Sequence, residues 1–147
     1  AAGTSEELLV EVHGTGSLVE CQSCGHREPP ETSFEVFKKE GKCPLCNCGG
    51  YLKPATISFG QSLREDDLNR GFAAARSCDL VLALGSTLSV SPANSIPMAA
   101  AQAGVPYIII NRDETDHDNL PQVTLRLFDN LEDVFPPAVA EALELAP

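Results

Sequence analysis

Five of the six cysteines lie in one short stretch of the chain, with a spacing that is typical of metal sites. Cys21 and Cys24 form a Cys-x-x-Cys pair, and 18 residues separate it from Cys43, which Cys46 and Cys48 follow. Two tight turns of this kind can present four thiolates to one tetrahedral ion. Since no secretory signal is evident, metal is favoured over disulfide bonds. The spacing therefore predicts a zinc site, closed by four ligands and structural in role.

The sequence leaves the fourth ligand of this site open. We expect Cys21, Cys24 and Cys43 to bind the metal, with Cys46 and Cys48 competing for the remaining position. Asn47 would allow a left-handed turn after Cys46, and the glycines that follow Cys48 would allow the same turn there. One cysteine is then a spare beside the metal.

The elements that would position this site alternate along the chain. Apolar runs predict strands at 8–12, 80–85, 107–110 and 123–128, and periodic or capped segments predict helices at 32–39, 64–76 and 91–103 and from residue 131. In the third helix, Ser91 is the expected N-cap, Pro92 the first helical residue and Gly104 the closing glycine. The alternation of strands and helices predicts an α/β fold with a parallel sheet.

The composition limits the classes of partner. The net charge is −11 and the sequence pI is about 4.5, so the surface repels phosphate backbones and nucleic acid is excluded as a partner. Such a surface suits a cationic ligand such as a lysine-bearing peptide. No apolar run approaches the length of a membrane span, and we expect a cytoplasmic protein that does not bind membranes.

Taken in order and spacing, these and other segments resemble the motifs of the sirtuins, the Sir2 family. The matching segments are the two cysteine pairs, Val10–Thr15, 49–54, 57–61, 85–88, 91–93 and 108–111. The resemblance implies the C-terminal part of a Rossmann-like parallel sheet, formed by residues 1–16 and 57–147, with a zinc-ribbon module inserted at 17–56.

The resemblance also assigns roles to individual residues. His13 matches the general base that deprotonates a ribose hydroxyl, a role that suits an imidazole. Residues matched to NAD binding are Gly85, Ser86, Thr87, Asn111, Asn130 and Leu131. Residues matched to two strand edges that clamp the acyl-lysine peptide are Ile57, Phe59 and Gly60 on one side and Leu88, Ser89 and Val90 on the other.

The activity that the resemblance implies is NAD-dependent protein lysine deacylation, with release of nicotinamide and O-acyl-ADP-ribose. The sequence lacks the Gly-Ala-Gly-x-Ser and Thr-Gln-Asn-x-Asp motifs of the family and begins without methionine. We therefore expect a C-terminal half that is inactive alone and that a missing N-terminal half, or a second copy, completes. The alternative is a catalytically inert zinc-ribbon and Rossmann fragment that serves as a structural or interaction module.

Overall fold

The computed structural model describes residues 3–145 and divides the chain into two compact units, Ala1–Asp67 and Leu68–Pro147. The first unit contains a 3-10 turn at Glu6–Leu8 and a three-stranded antiparallel sheet. Its elements are β1 (Gly14–Cys21), β2 (Arg27–Glu28), α1 (Glu31–Glu40) and β3 (Leu52–Thr56), with the strands in the order β2-β1-β3. The predicted helix at 32–39 is confirmed as α1.

The strand predicted at 8–12 is wrong. Residues Glu6–Leu8 form the 3-10 turn instead, and pairing with β3 begins only at Gly14, opposite Thr56. Leu8 and Leu9 are 80% and 48% exposed, so the sheet formed by the described residues does not bury this apolar run. An apolar run predicts a strand only where a neighbouring strand and a core receive it.

Gly14 marks a close approach between β1 and β3. Its φ is +72°, and a Cβ at this position would lie 2.1 Å from the carbonyl oxygen of Ala55. Both the backbone conformation and the contact therefore require glycine. We expect Gly14→Ala to lower the free energy of unfolding of the first unit by roughly 2–4 kcal/mol. Urea unfolding measures this loss, and Gly16→Ala, where a Cβ meets no atom within 4 Å, is the matched control.

The second unit is a parallel sheet with helices. Helix α2 (Glu65–Ser77) starts at the unit boundary, and β4 (Val81–Leu84), α3 (Ser95–Gln102), β5 (Tyr107–Ile110), β6 (Leu125–Leu127) and α4 (Leu131–Leu145) follow. The strand order is β4-β5-β6, with Leu84 opposite Ile110 and Ile110 opposite Leu127. The core of this unit contains the buried residues Ala83, Leu88, Ala101, Tyr107 and Ile109. The parallel sheet and its three strands agree with the sequence-based prediction.

Helix α3 begins later than the sequence predicts. Residues 91–94 form turns in which the N–H of Asn94 donates to the carbonyl of Val90, and Asn94, not Ser91, is the N-cap residue. The Ser-Pro signal therefore places the start of the helix one turn too early. The predicted closing residue, Gly104, has a φ of +88° and donates to the carbonyl of Ala101, as expected.

A buried histidine forms a hydrogen bond within the second unit. The hydroxyl of Tyr107 lies 3.0 Å from Nδ1 of His117, and these residues are 0% and 6% exposed. Burial lowers the pKa of His117, although the nearby carboxylates of Asp116 and Asp118 oppose the shift. The imidazole is therefore held neutral where an unfolded chain would protonate it.

We expect the protein to lose stability as the pH falls below the unfolded histidine pKa of about 6.5. Below that value the unfolded chain binds a proton that folded His117 resists, so the loss reaches up to about 1 kcal/mol by pH 5.5. Burial raises the pKa of Asp118, but hydrogen bonds from Arg126 and Thr115 lower it overall. Its contribution is lost only below about pH 4. Urea unfolding at pH 7.5 and 5.5 measures the change, which should shrink in His117→Gln; an equal change in this variant would contradict the assignment.

Within residues 3–145, no helix combines the length and the apolar character that crossing a bilayer requires.

Candidate metal centre and nucleotide site

Four cysteine thiols converge at one end of the antiparallel sheet. The sulfur atoms of Cys21, Cys24, Cys46 and Cys48 all lie within 4.8 Å of one another. The Cys21–Cys48 pair is separated by 3.5 Å and the Cys24–Cys46 pair by 3.8 Å. A tetrahedral zinc with Zn–S bonds of about 2.3 Å places its sulfurs about 3.8 Å apart. The donor set and its dimensions therefore fit a structural zinc.

Two tight turns hold these thiols. In the first, the N–H of Gly25 donates to the carbonyl of Cys21; in the second, the N–H of Gly49 donates to the carbonyl of Cys46. The N–H groups of Cys24 and Ser23 donate to the Cys21 sulfur and lower the pKa of its thiol to about 6. Because the thiolate is the form that binds metal, these turns prepare Cys21 as a ligand at neutral pH.

Glycine is required where the two turns meet. A Cβ on Gly50 would lie 2.7 Å from the Cys21 sulfur and 2.5 Å from the Ser23 hydroxyl. Any side chain at position 50 would therefore push the second turn away from the first. The two glycines thus have different roles. Gly49 allows the turn, with a φ of +84°, and Gly50 allows the close contact with the first turn.

The expected ligand set is corrected at one position. Cys43 lies outside the cluster and is exposed, in an apolar groove beside Phe34 and Phe37. Cys46 and Cys48 therefore do not compete, since both join Cys21 and Cys24. A Cys-x-Cys turn, with Asn47 between the two clustered cysteines, stands where a Cys-x-x-Cys turn at Cys43 and Cys46 is one of the sequence-based expectations.

A backbone hydrogen bond links His13, the predicted general base, to one of the two predicted peptide-binding edges. The carbonyl of His13 accepts this bond, 2.8 Å long, from the N–H of Ile57, which lies directly after β3. The His13 imidazole is exposed, Phe59 is 97% exposed, and Gly60 adopts a φ of +87°. His13 is therefore bonded to the start of this segment, and the side chains of His13 and Phe59 are accessible.

The predicted NAD-binding residues gather at the carboxyl ends of the parallel strands. Gly85 follows β4 and donates to the carbonyl of Ile110, while Asn111 follows β5 and donates to the carbonyl of Leu127. A Cβ added to Gly85 would lie 3.9 Å from the nearest side chain, that of Leu131 at the start of α4. The space above Gly85 is therefore open. Ligands of open α/β sheets bind at this edge.

The other predicted residues at this edge are held by local hydrogen bonds. The Ser86 hydroxyl accepts the N–H of Leu88 at 3.2 Å, and the hydroxyls of Thr87 and Ser89 lie 2.8 Å apart. The side-chain amide of Asn130 donates to the carboxylate of Asp133 at 3.0 Å. Ser86, Thr87 and Asn130 are exposed, so they remain accessible to a ligand.

In the second predicted peptide-binding edge, one side chain is buried and two are exposed. Leu88 is only 7% exposed, with its side chain in the core and an unusual φ of +55°. Its carbonyl accepts the side-chain amide of Asn94 at 3.1 Å. Ser89 and Val90 are exposed. In this structure the Leu88 side chain therefore anchors the loop and does not face solvent.

The family follows from comparison with known proteins. The model of the Sir2 family matches residues 1–92, which is more than half of the chain. The chain belongs to the Sir2 family. Among curated relatives, the NAD-dependent protein deacetylase of Rhodopseudomonas palustris is 38% identical over 126 residues, or 85% of this chain and 50% of the relative. That of Haloarcula marismortui is 39% identical over 119 residues, or 80% and 45%. The chain thus spans about half the length of the curated relatives it matches.

Solved structures agree on the fold of this Sir2-family chain. One described as "Structural Basis for the Mechanism and Regulation of Sir2 Enzymes" is 31% identical, with a TM-score of 0.81 over 98% of this chain and 57% of the other. A complex described as "Sir2-p53 peptide-NAD+" is 26% identical, with a TM-score of 0.81 over 93% and 56%. The predicted α/β class with a parallel sheet and a cysteine-based zinc ribbon is confirmed.

A buried ion pair that the sequence motifs do not indicate lies next to Asn111. Arg126 in β6 and Asp118 form an ion pair of 2.6 Å, and both side chains are only 9% exposed. The sequence signal for this ion pair is a charged residue, Arg126, inside a predicted strand, because a buried strand tolerates an arginine only when its charge is paired.

Proposed function

We propose that this chain supplies the catalytic base, the adenosine end of the NAD site and the structural zinc of an NAD-dependent protein lysine deacylase. The observation that carries the proposal is the bond from the Ile57 N–H to the His13 carbonyl. It places an exposed imidazole beside a segment suited to binding an extended peptide by strand addition. Relatives named as NAD-dependent protein deacetylases support the same activity.

His13 is the proposed general base. Bound NAD would supply the ribose, and a ring nitrogen of His13 would accept the proton from its hydroxyl. An imidazole suits this step because its ordinary pKa is near neutrality. The segments proposed to bind the acyl-lysine peptide are Ile57, Phe59 and Gly60 in the first unit and the Leu88–Val90 edge in the second. At the latter edge the Leu88 backbone would take part while its side chain stays buried.

Six residues are proposed to hold NAD: Gly85, Ser86, Thr87, Asn111, Asn130 and Leu131. The glycine, with its left-handed conformation and open space, lets a ligand approach the backbone closely. The polar groups beside it offer hydrogen bonds to phosphate and ribose hydroxyls. The four thiolates are proposed to hold zinc as a structural ion, since a site closed by four thiolates leaves no position for substrate.

A further polypeptide segment is proposed to complete the sheet. In the described part of the second unit, β4 forms one edge of the sheet, and Leu82 within it is 38% exposed. Exposed apolar edge strands attract further strands. A strand from a further Sir2-family segment or from a second copy of the chain would fill this place. The domain division, with residues 17–56 as the zinc module, remains part of the proposal.

A chimera tests the proposed function. The N-terminal half of the R. palustris deacetylase is joined to this chain, and nicotinamide release is measured with NAD and an acetyl-lysine peptide. We expect release with the acetylated peptide and none with the same peptide unmodified. A folded, zinc-loaded chimera that releases no nicotinamide would favour the alternative, an inert structural module.

A further inference from the structure

One arginine of the second unit has all five N–H donors engaged. The Nε of Arg126 donates to Asp118 Oδ1 at 2.6 Å, and Nη2 reaches Oδ2 of the same carboxylate at 3.5 Å. Nη1 donates to the carbonyls of Asn111, at 2.7 Å, and of Leu127, and Nη2 donates to the carbonyl of Asp113 at 2.7 Å. Five donors in a rigid plane thus meet five acceptors, the full capacity of a guanidinium.

These acceptors include the backbone on both sides of Arg112. Asn111 and Asp113 belong to the segment that leaves β5, and Arg126 holds the carbonyl of each. The Asp113 carbonyl also accepts the side-chain amide of Asn111 at 2.9 Å. Arg126 and the Asn111 amide therefore share one acceptor. The position of that acceptor sets where the Asn111 Nδ2 group points, and so where its Oδ1 points.

We propose that Arg126 is a positioning residue for the ribose site: it fixes the turn after β5 so that the Asn111 side chain is oriented to bind the adenosine ribose hydroxyls. This inference rests on the proposed function of Asn111. Arg126 itself touches no part of the ligand in this role and acts through the two carbonyls that it holds.

The choice of arginine follows from the geometry. A lysine ammonium has three donors on a flexible stem and cannot bridge the Asp118 carboxylate and three carbonyls in one plane. The ring of Phe128 covers the guanidinium, with Arg126 Cζ 3.7 Å from the ring centroid, and this contact also favours a planar cation. Only an arginine therefore satisfies this arrangement completely.

The orientation of Asn111 is tested on the chain itself, without any ligand. Nuclear magnetic resonance measures hydrogen exchange and chemical shifts of the Asn111 side-chain amide in the wild type, in Arg126→Lys and in Arg112→Lys. We expect exchange of this amide to accelerate at least about fivefold in Arg126→Lys, because the shared acceptor is released. Arg112→Lys is the matched control: Arg112 is exposed, forms an ion pair with the side chain of Asp113, and should leave the Asn111 amide unchanged.

The link to the ligand is tested in the chimera described above, with ADP-ribose as the probe. We expect Arg126→Lys to weaken ADP-ribose binding about tenfold, the effect of losing roughly one hydrogen bond. We also expect Asn111→Ala to weaken binding and to abolish any further effect of Arg126→Lys, because the arginine acts through the asparagine. Additive losses in the double variant would overturn the positioning role.

The failure of the proposed function is distinguishable from the failure of this inference. If the chimera that carries the unchanged chain does not bind ADP-ribose, or its Asn111→Ala variant binds it normally, the NAD role of Asn111 is wrong and the ribose part of the inference falls with it. If ADP-ribose binds through Asn111 but the amide is unchanged in Arg126→Lys, only the inference is wrong. Should Arg126→Lys not fold, Phe128→Leu at an exposed position loosens the same guanidinium, and an unchanged Asn111 amide there overturns the inference.

Discussion

Replacing Cys46 or Cys48 by serine is expected to remove bound zinc and to unfold the first unit, whereas Cys43→Ser is expected to bind one zinc per chain and to remain folded. The sulfurs of Cys46 and Cys48 belong to the cluster that includes Cys21, and Cys43 does not. The buried cluster of this unit is small, consisting of Val19, Cys21 and Leu52 with Cys46 packed against it. A sheet with so little apolar core depends on the free energy of metal binding.

The expected loss is large because metal binding and folding are coupled. Structural zinc contributes about 10–16 kcal/mol in small zinc-binding domains, and removing one thiolate forfeits much of it. Elemental analysis gives the zinc content per chain, and circular dichroism with and without a chelator gives the melting temperature. Cys43→Ser controls for the chemical change in the same stretch of chain. Loss of zinc in Cys43→Ser, or a Cys48→Ser protein with unchanged zinc and melting temperature, would refute the ligand set.

His13→Ala is expected to abolish nicotinamide-linked deacylation in the chimera while leaving its fold and zinc content intact. The imidazole is exposed, so its removal creates no cavity. A general base in the transition state contributes about 10²–10⁴-fold to the rate. The backbone bond from Ile57 to the His13 carbonyl survives the substitution, so the peptide-binding edge should persist.

The matched control for this variant is His26→Ala. The side chain of His26 is 52% exposed and its imidazole lies 3.4 Å from the carboxylate of Glu28, in the zinc-binding unit. We expect His26→Ala to retain the activity of the unchanged chimera. Steady-state rates of O-acyl-ADP-ribose formation compare the three proteins. Equal losses in both variants would show that His13 acts through stability and not as a base.

Local sequence determined the elements whose signals lie within a few residues. The apolar run at Tyr107–Ile110 became β5, and the periodic segment ending near Arg76 became α2, because these patterns predict elements that a core can bury. The cysteine spacing determined that a metal site exists. The ordered motifs determined the Sir2 family, since each motif is short but their order along the chain is specific.

Only the tertiary structure decided which groups meet at each site. By spacing, Cys43 is an expected ligand and Cys46 and Cys48 are alternatives for one position, whereas in the structure Cys46 and Cys48 both join the cluster and Cys43 does not. The turn that carries them approaches the Cys21 sulfur because residue 50 is glycine. Arg126 lies 15 residues from Asn111, and their contact exists because β5 and β6 pair in parallel. Likewise, the apolar run at 8–12 has strong strand character but is not buried by a sheet. Such contacts depend on strand register and close backbone approach between distant segments, which local sequence does not encode.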